Sequence, residues 1–393
     1  MRMMESYFLK VLTFSLCTIG GYILWTMGIN SMYRIRIKSY DVTDKGTGHN
    51  ICFIKTHKCA SSTITNIMQR YGLKNNLTFA LPLKNNVYFG FLRDFREDSV
   101  APLPPGKQAN MLVNHAIFNE PGMKHILGQD VKFIGVLRYP LKHLKSVYNY
   151  FRLEQKYLMP SIDTFLSDPK KYDVETERCS YTHNFQAFHY GFNMLKSDSK
   201  NYIKHRTLYL DRIFTLMIIV EHFDESMILL KRALNWKLWD VVYMSKKVRE
   251  YNEKNREITE EKEAVFKKWN NIDYFLYDHF NKTLWHRVKL QGTGFKKELD
   301  IFKSILQEVT SFCSSDIISG ELKLVDTYNN QTQTWTAEDC VSLKRDPKDF
   351  TQTIRKKQYG GLFKHRFPSK YPAKKTASHM GRKIIGDWAV SGF

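Results

Sequence analysis

Cysteine is scarce in this chain and carries no metal pattern: the six residues (17, 52, 59, 179, 313 and 340) form no CxxC pair and no zinc spacing. No HExxH occurs either, so the sequence implies no metal. A GxxxxGK[ST] loop is missing, which argues against a Walker-type nucleotide hydrolase, and without GxGxxG there is no case for a dinucleotide fold. Glycine periodicity and sustained heptads are absent, and a single long apolar run excludes a polytopic membrane protein. Acidic residues are outnumbered, 39 Asp and Glu against 60 Lys and Arg, and the formal charge of +21 favours polyanionic partners such as phosphates, sulfates, nucleic acid or anionic lipid.

What is present describes a globular body, with 43% hydrophobic and 14% aromatic residues in 393. Thirteen Lys and Arg against three Asp and Glu fall between Lys344 and Phe393, about half of the surplus, in a segment with little periodicity. That segment reads as a solvated, mostly irregular tail. At the other end, Val11 to Met32 is free of charge for 22 residues, long enough at about 1.5 Å per residue to cross a bilayer core. The run is long for a cleaved signal and lacks a clear cleavage site, so an uncleaved anchor is expected. Its flanking charges (Arg2 and Lys10 before, Arg34, Arg36 and Lys38 after) leave the orientation open. The expected layout is a tail 1–10, an anchor 11–32, a stem 33–50, a body 51–343 and a basic tail 344–393. Sequons at Asn76, Asn281 and Asn330 lean towards a lumenal body. Cys179, Cys313 and Cys340 are the disulfide candidates, with the pairing open.

The body opens on Ile51-Cys52-Phe53-Ile54, an apolar run without alternation that suits a strand buried on both faces of a parallel sheet. Lys55-Thr56-His57-Lys58-Cys59-Ala60-Ser61-Ser62-Thr63 follows, then a helical stripe at Ile64, Ile67, Met68 and Tyr71 that Gly72 is expected to close. Strand, loop and helix start form an anion cradle: backbone N–H groups at the helix N-terminus, hydroxyls beside them and a lysine for charge. An ordinary βα turn with a Ser/Thr cap uses the same residues. A second unit repeats the pattern. Val131 to Leu137 reads as a strand, Arg138-Tyr139-Pro140 breaks it, and a helix follows with Leu141, Leu144, Tyr148 and Phe151 on one face. Arg138 at the strand end and Ser146 two turns later can reach one anion in the crevice of an α/β sheet. Leu216 to Val220 is a third strand candidate ended by Glu221, with a helix from Ser226 to Leu234.

These segments carry a resemblance. IKTHKCASSTITNIMQRYG resembles the 5′-phosphosulfate loop, and LRYPLKHLKSVYNYF the 3′-phosphate site, of sulfotransferases that use 3′-phosphoadenylyl sulfate. With VEHFDESMILLKRALNW, WDVVYM and IDYFLYDHFNKTLW in order, the chain is similar to the Golgi galactose 3-O-sulfotransferases, which include galactosylceramide sulfotransferase. The resemblance, over about Ile51 to Trp285, implies a type II Golgi membrane protein with a P-loop-like three-layer α/β/α domain around a central parallel sheet. It implies sulfuryl transfer to the 3-hydroxyl of a terminal β-galactose on a glycolipid or glycan, with no metal and no nucleic acid. Lys55, Lys58, Cys59, Ala60, Ser61, Ser62 and Thr63 match the donor loop, Lys58 the lysine beside the transferred sulfate, and Arg138 with Ser146 the 3′-phosphate clamp. His115, in Asn114 to Asn119, matches the candidate base. The chain departs from the family at Cys59, Tyr139 and Ile117, the last on the acceptor side.

The chemistry agrees with these residue types. Transfer through a loose, charge-spread transition state asks the protein for positioning and electrostatic stabilisation, which a lysine and aligned N–H donors supply. A neutral histidine is the natural base for a sugar hydroxyl. Among 13 histidines, His57 inside the loop is the rival to His115. Two other classes remain open. A heparan or uronyl O-sulfotransferase would gather basic residues around its cleft, and a non-enzymatic membrane-anchored polyanion binder would show steep salt dependence. Trp236, Trp239, Trp269, Trp285 and Trp335 are candidates for stacking on sugars, and Cys179 to Phe192 for lining an acceptor groove.

Overall fold

The computed structural model describes residues 50–84, 86–90, 93–174, 179–244, 258–314 and 320–360. The expected anchor 11–32, most of the stem and the tail from 361 lie outside these residues. Among the described residues, no helix is long and apolar enough to cross a membrane.

The apolar runs form one four-stranded parallel sheet. β1 (Ile51–Phe53), β2 (Met111–Leu112), β3 (Lys132–Leu137) and β4 (Phe214–Ile219) stand in the order β2-β1-β3-β4. Every residue of β1 and nearly all of β3 and β4 are buried, which explains why the runs do not alternate. α1 (Ser61–Lys74) follows β1, α2 (Glu120–Leu127) precedes β3 and α3 (Pro140–Phe151) follows it. Pro140 opens α3 at the first helical position, where its missing N–H is no loss. α4 (Phe185–His189) and α5 (Lys200–Ile213) lead to β4, and α6 (Phe223–Leu234) follows. The chain passes from β1 to β2 on one side and returns to β3 on the other. That reversal puts the loops after β1 and β3 beside the crevice where α/β sheets bind ligands.

β1 is short, and its departure leaves a gap that a side chain fills. Its last bond to the sheet is from the N–H of Ile54 to the carbonyl of Ile134 (2.9 Å). The next β3 groups facing that side belong to Val136, and the phenol of Tyr190 takes both: Val136 N–H donates to it at 2.7 Å, and it donates to the Val136 carbonyl at 2.8 Å. Thr56, where the loop leaves the sheet, donates to the same phenol oxygen at 3.3 Å. Gly135 makes room for this plug, since a Cβ there would lie 2.5 Å from Met217 Sδ and 2.9 Å from the Tyr190 hydroxyl. Gly72 has a packing role too. It does not end α1, which runs on to Lys74; a Cβ at Gly72 would sit 2.3 Å from the ring of Phe79.

The C-terminal part is more ordered than its composition predicts. α7 (Glu260–Trp269), α8 (Asn271–Leu290) and α9 (Gly294–Ser314) are followed by an antiparallel hairpin of β5 (Leu322–Asp326) and β6 (Gln331–Trp335), then α10 (Ala337–Lys344) and α11 (Pro347–Tyr359). Cys313 and Cys340 form a disulfide that ties α9 to α10, while Cys179 is buried. The irregular tail expected from Lys344 is therefore corrected as far as Tyr359. Asp346 caps α11, Pro347 takes its first position, and Phe350, Thr351, Ile354 and Arg355 form a buried stripe. On α1, Gln69 Nε2 donates to the Pro347 carbonyl (3.1 Å) and to Thr351 Oγ1 (3.0 Å). Asn66 Nδ2 donates to the carbonyls of Ser342 and Arg345. The stripe was present in the sequence, masked by the charge around it.

Candidate active site

The loop between β1 and α1 turns sharply without glycine. Lys58 (φ 60°) and Ala60 (φ 51°) are both left-handed, and Ala60 stands at the N-cap position of α1 with no side-chain bond to offer. Its carbonyl accepts from Thr63 N–H at 3.0 Å, while the N–H groups of Ser61 and Ser62 stand at the helix end, where no intrahelical acceptor exists. Ser61 is buried, Thr63 half-buried and Ser62 exposed. The Lys58 ammonium lies 3.8 Å from the centroid of Tyr150, which places it over the C-terminal part of α3. Arg138 joins the two strand ends directly, its Nη1 donating to the Lys58 carbonyl at 3.2 Å. Its Nε is buried without a hydrogen-bond partner. A buried guanidinium nitrogen of this kind, beside a lysine and the positive end of a fourteen-residue helix, fits an anionic ligand.

Other expected residues are placed differently. Cys59 turns its side chain inward, Sγ donating to Gln186 Oε1 at 3.3 Å, and burial pushes its thiol well above its usual value. Lys55 is buried beneath the loop, its pKa pushed down to about 8 by burial against the opposing pull of Asp346. Ser146 is half-buried on α3 and makes no hydrogen bond to Arg138 or the loop. Tyr139 and Ile117, where the chain departs from the family, are used structurally. Tyr139 N–H donates to Glu221 and its hydroxyl to Glu263, while Ile117 is packed inside.

Four histidines meet at the mouth of β1. The rings of His57 and His115 stack with centroids 4.1 Å apart, and Tyr88 stacks on His115 at 4.9 Å. His115 Nδ1 lies 3.0 Å from the carbonyl of Lys55, which can only accept, so Nδ1 carries the proton and Nε2 the lone pair. His115 is half-buried, whereas His57, His143 and His189 are almost fully so. Burial, His57, Lys55 and His189 together hold His115 well below its usual value near 6.5. Burial also holds His143 near 3 and His189 near 4, so the group is neutral at neutral pH. Among the described residues, no three His, Cys, Asp or Glu converge as a metal site.

A brace behind the loop escaped the sequence reading. Gln186 on α4 is buried and clamps Arg138 by both main-chain groups: its Oε1 accepts from Arg138 N–H (2.8 Å) and its Nε2 donates to the Arg138 carbonyl (2.9 Å). α4 faces the start of α8, and each helix caps the other. Asp273 accepts from the N–H groups of Gln186 (3.1 Å) and Ala187 (2.7 Å), and Asn184 Oδ1 accepts from those of Ile272 (2.9 Å) and Asp273 (3.3 Å). Burial pushes the Asp273 carboxyl up to about 6 despite these donors. Much of the stretch expected to line an acceptor groove is thus a buried support. Of the tryptophans, Trp236, Trp239 and Trp335 are core residues, Trp269 stacks on His183, and Trp285 is exposed against His222.

The galactose-3-O-sulfotransferase profile matches residues 9–338. The chain belongs to that family. It is 33% identical over 280 residues, 70% of each chain, to galactose-3-O-sulfotransferase 2 of Homo sapiens. Galactosylceramide sulfotransferase of Homo sapiens is 34% identical over 249 residues, 62% of this chain and 58% of its own. Galactose-3-O-sulfotransferase 3 of Mus musculus is 31% identical over 277 residues, 68% and 63% of the two chains. The protein is an enzyme of the sulfotransferase class. In this sulfotransferase the packed helix α11 lies beyond the matched region.

Proposed function

We propose that this sulfotransferase moves a sulfuryl group from 3′-phosphoadenylyl sulfate to the 3-hydroxyl of a terminal β-galactose on a glycolipid or glycoprotein glycan. The observation that carries the reading is the direct bond between the two strand-end loops, Arg138 to Lys58, with the Arg138 Nε left buried and unpaired. Arg138 and Ser146 would hold the 3′-phosphate, while Lys58 and the N–H groups of Ser61 and Ser62 would hold the phosphosulfate. Lys58 and the helix end oppose the charge that develops on the bridging oxygen. His115 acts as the base: the acceptor hydroxyl gives its proton to Nε2 as its oxygen takes the sulfuryl group. The bond to the 5′-phosphate breaks with its electron pair left on the nucleotide. Because His115 is held well below its usual value, turnover should stay level as pH falls to 6.5 and decline only below it.

The proposal includes a type II arrangement in the Golgi membrane, with residues 11–32 as anchor and the body lumenal. The Cys313–Cys340 disulfide supports this, since such bonds persist in oxidising compartments. The test is transfer by the full chain in detergent, with radiolabelled donor and a panel of β-galactosides, galactolipids and heparan fragments. Label on the galactose 3-position is expected, and label on heparan alone would overturn the reading.

A further inference from the structure

We infer that His143 and His189 are positioning residues that lock the donor loop, the first through the main chain of His57 and the second through its ring. The inference rests on the reading of residues 55–63 as the donor loop. Left-handed backbone outside glycine is sterically costly, and it persists where the surroundings over-determine it. Lys58 and Ala60 are both in that state. His57, immediately before Lys58, is held at three points. Its carbonyl accepts from His143 Nε2 at 2.9 Å, its Nδ1 lies 2.7 Å from His189 Nε2, and its ring face stacks on His115.

The proton positions follow from the acceptors. His189 Nδ1 lies 2.7 Å from the carbonyl of Phe185, so it carries the proton and Nε2 of the neutral ring is an acceptor. His57 Nδ1 must then be the donor of its bond to His189, which leaves the lone pair of His57 on Nε2. His143 carries its proton on Nε2, against the His57 carbonyl. Both locking rings are buried, and neither comes from the loop. His143 stands in the first turn of α3, the helix that follows Arg138, and His189 ends α4, the helix that Asp273 caps. Each side of the cleft therefore fixes the residue that precedes Lys58.

The test begins with the full-length protein, using 15N imidazole shifts. His57 and His189 should be protonated on Nδ1 and His143 on Nε2; His57 protonated on Nε2 would overturn the lock. Binding of 3′-phosphoadenosine 5′-phosphate and the melting temperature are then measured for His143→Phe and His143→Gln. The phenyl ring leaves a buried carbonyl unpaired and should weaken binding by about tenfold or more. The glutamine amide reaches the same carbonyl and should stay within about threefold of the wild type. If both variants lose affinity equally, or only in step with lost melting temperature, the two histidines are structural and the inference fails. His189→Leu should move the His57 proton to Nε2 and lower kcat more than the acceptor KM. An unmoved proton would remove His189 from the lock. Should the wild type bind no nucleotide, the donor-site reading fails, while the imidazole spectrum still decides the lock.

Discussion

Residues 55–63 and the block from α9 to α11 are held in place by different means. The loop keeps two left-handed residues, Lys58 and Ala60, and its neighbours grip it by single hydrogen bonds of fixed direction: His143, His189, Gln186 and Arg138. In the block, the side chains of Thr336 and Asp346 cap α10 and α11. It is fastened by a disulfide, by apolar stripes, and by the buried carboxylate of Glu298, which takes Lys231 at 2.5 Å and Arg232 at 2.7 Å. Directional bonds fix a shape, whereas area and covalent ties fix a stability. Variants in the two regions should therefore separate, with the loop changing binding and turnover and the block changing melting.

The largest effect expected is from ending the chain after Lys344. Removing α11 takes away the buried stripe Phe350, Thr351 and Ile354, uncovers the surface it packs on and strips Gln69 of its partners, so the circular-dichroism melt should lose its cooperative transition. A chain that still melts cooperatively would mean the block is an appendage. Next comes Cys313→Ser with Cys340→Ser. Opening a loop with a sequence separation of 27 should cost roughly 3–4 kcal/mol in denaturant unfolding, with turnover at low temperature near wild type. Inside the site, His115→Ala should lower turnover by about 10²-fold or more. Calorimetry should find its donor binding lowered far less than its turnover, since what the loop loses is the stacking on His57 and the bond to the Lys55 carbonyl; an equal loss of donor affinity would move His115 out of the base role. Arg138→Ala should weaken the 3′-phosphorylated nucleotide about tenfold more than an analogue lacking that phosphate; equal losses would break the clamp assignment.

The smallest effect is in pH. His143 and His189 have folded-state values near 3 and 4 against about 6.5 in the unfolded chain. Their neutral forms are favoured by folding, so their contribution is complete above pH 6.5 and is lost as pH falls towards 4 and then 3. Melting temperature should drop across that window, and drop less in His143→Gln. Equal slopes would show that other groups titrate there.

The same division explains what the sequence disclosed. β1 with its loop and α1, β3 with Arg138 and α3, and β4 with Glu221 and α6 are local patterns: an apolar run, a break, a stripe of 3.6 period. The sheet order brings their ends together, so the cleft was legible from three short segments. The brace was not. Gln186 lies 48 residues from Arg138 and His189 lies 132 from His57, and neither spacing leaves a periodic mark. β2, of two residues, is too short to show a pattern, and the hairpin β5–β6 is mostly exposed and polar. Gly72 misled because a helix-ending glycine and one that admits a ring look alike in sequence.

The mutual capping of α4 and α8 has a consequence for how ligand binding would be sensed. A helix of five residues cannot persist alone, so α4 exists only while Asp273 and Asn184 hold the two helix ends together. Gln186 and His189 share that fate, and with them the loop. An anion bound at Lys58 and Arg138 would stabilise every state in which this unit is closed. Protection from solvent exchange should therefore rise not only in the loop but at the amides of Gln186, Ala187 and Ile272, which touch no ligand.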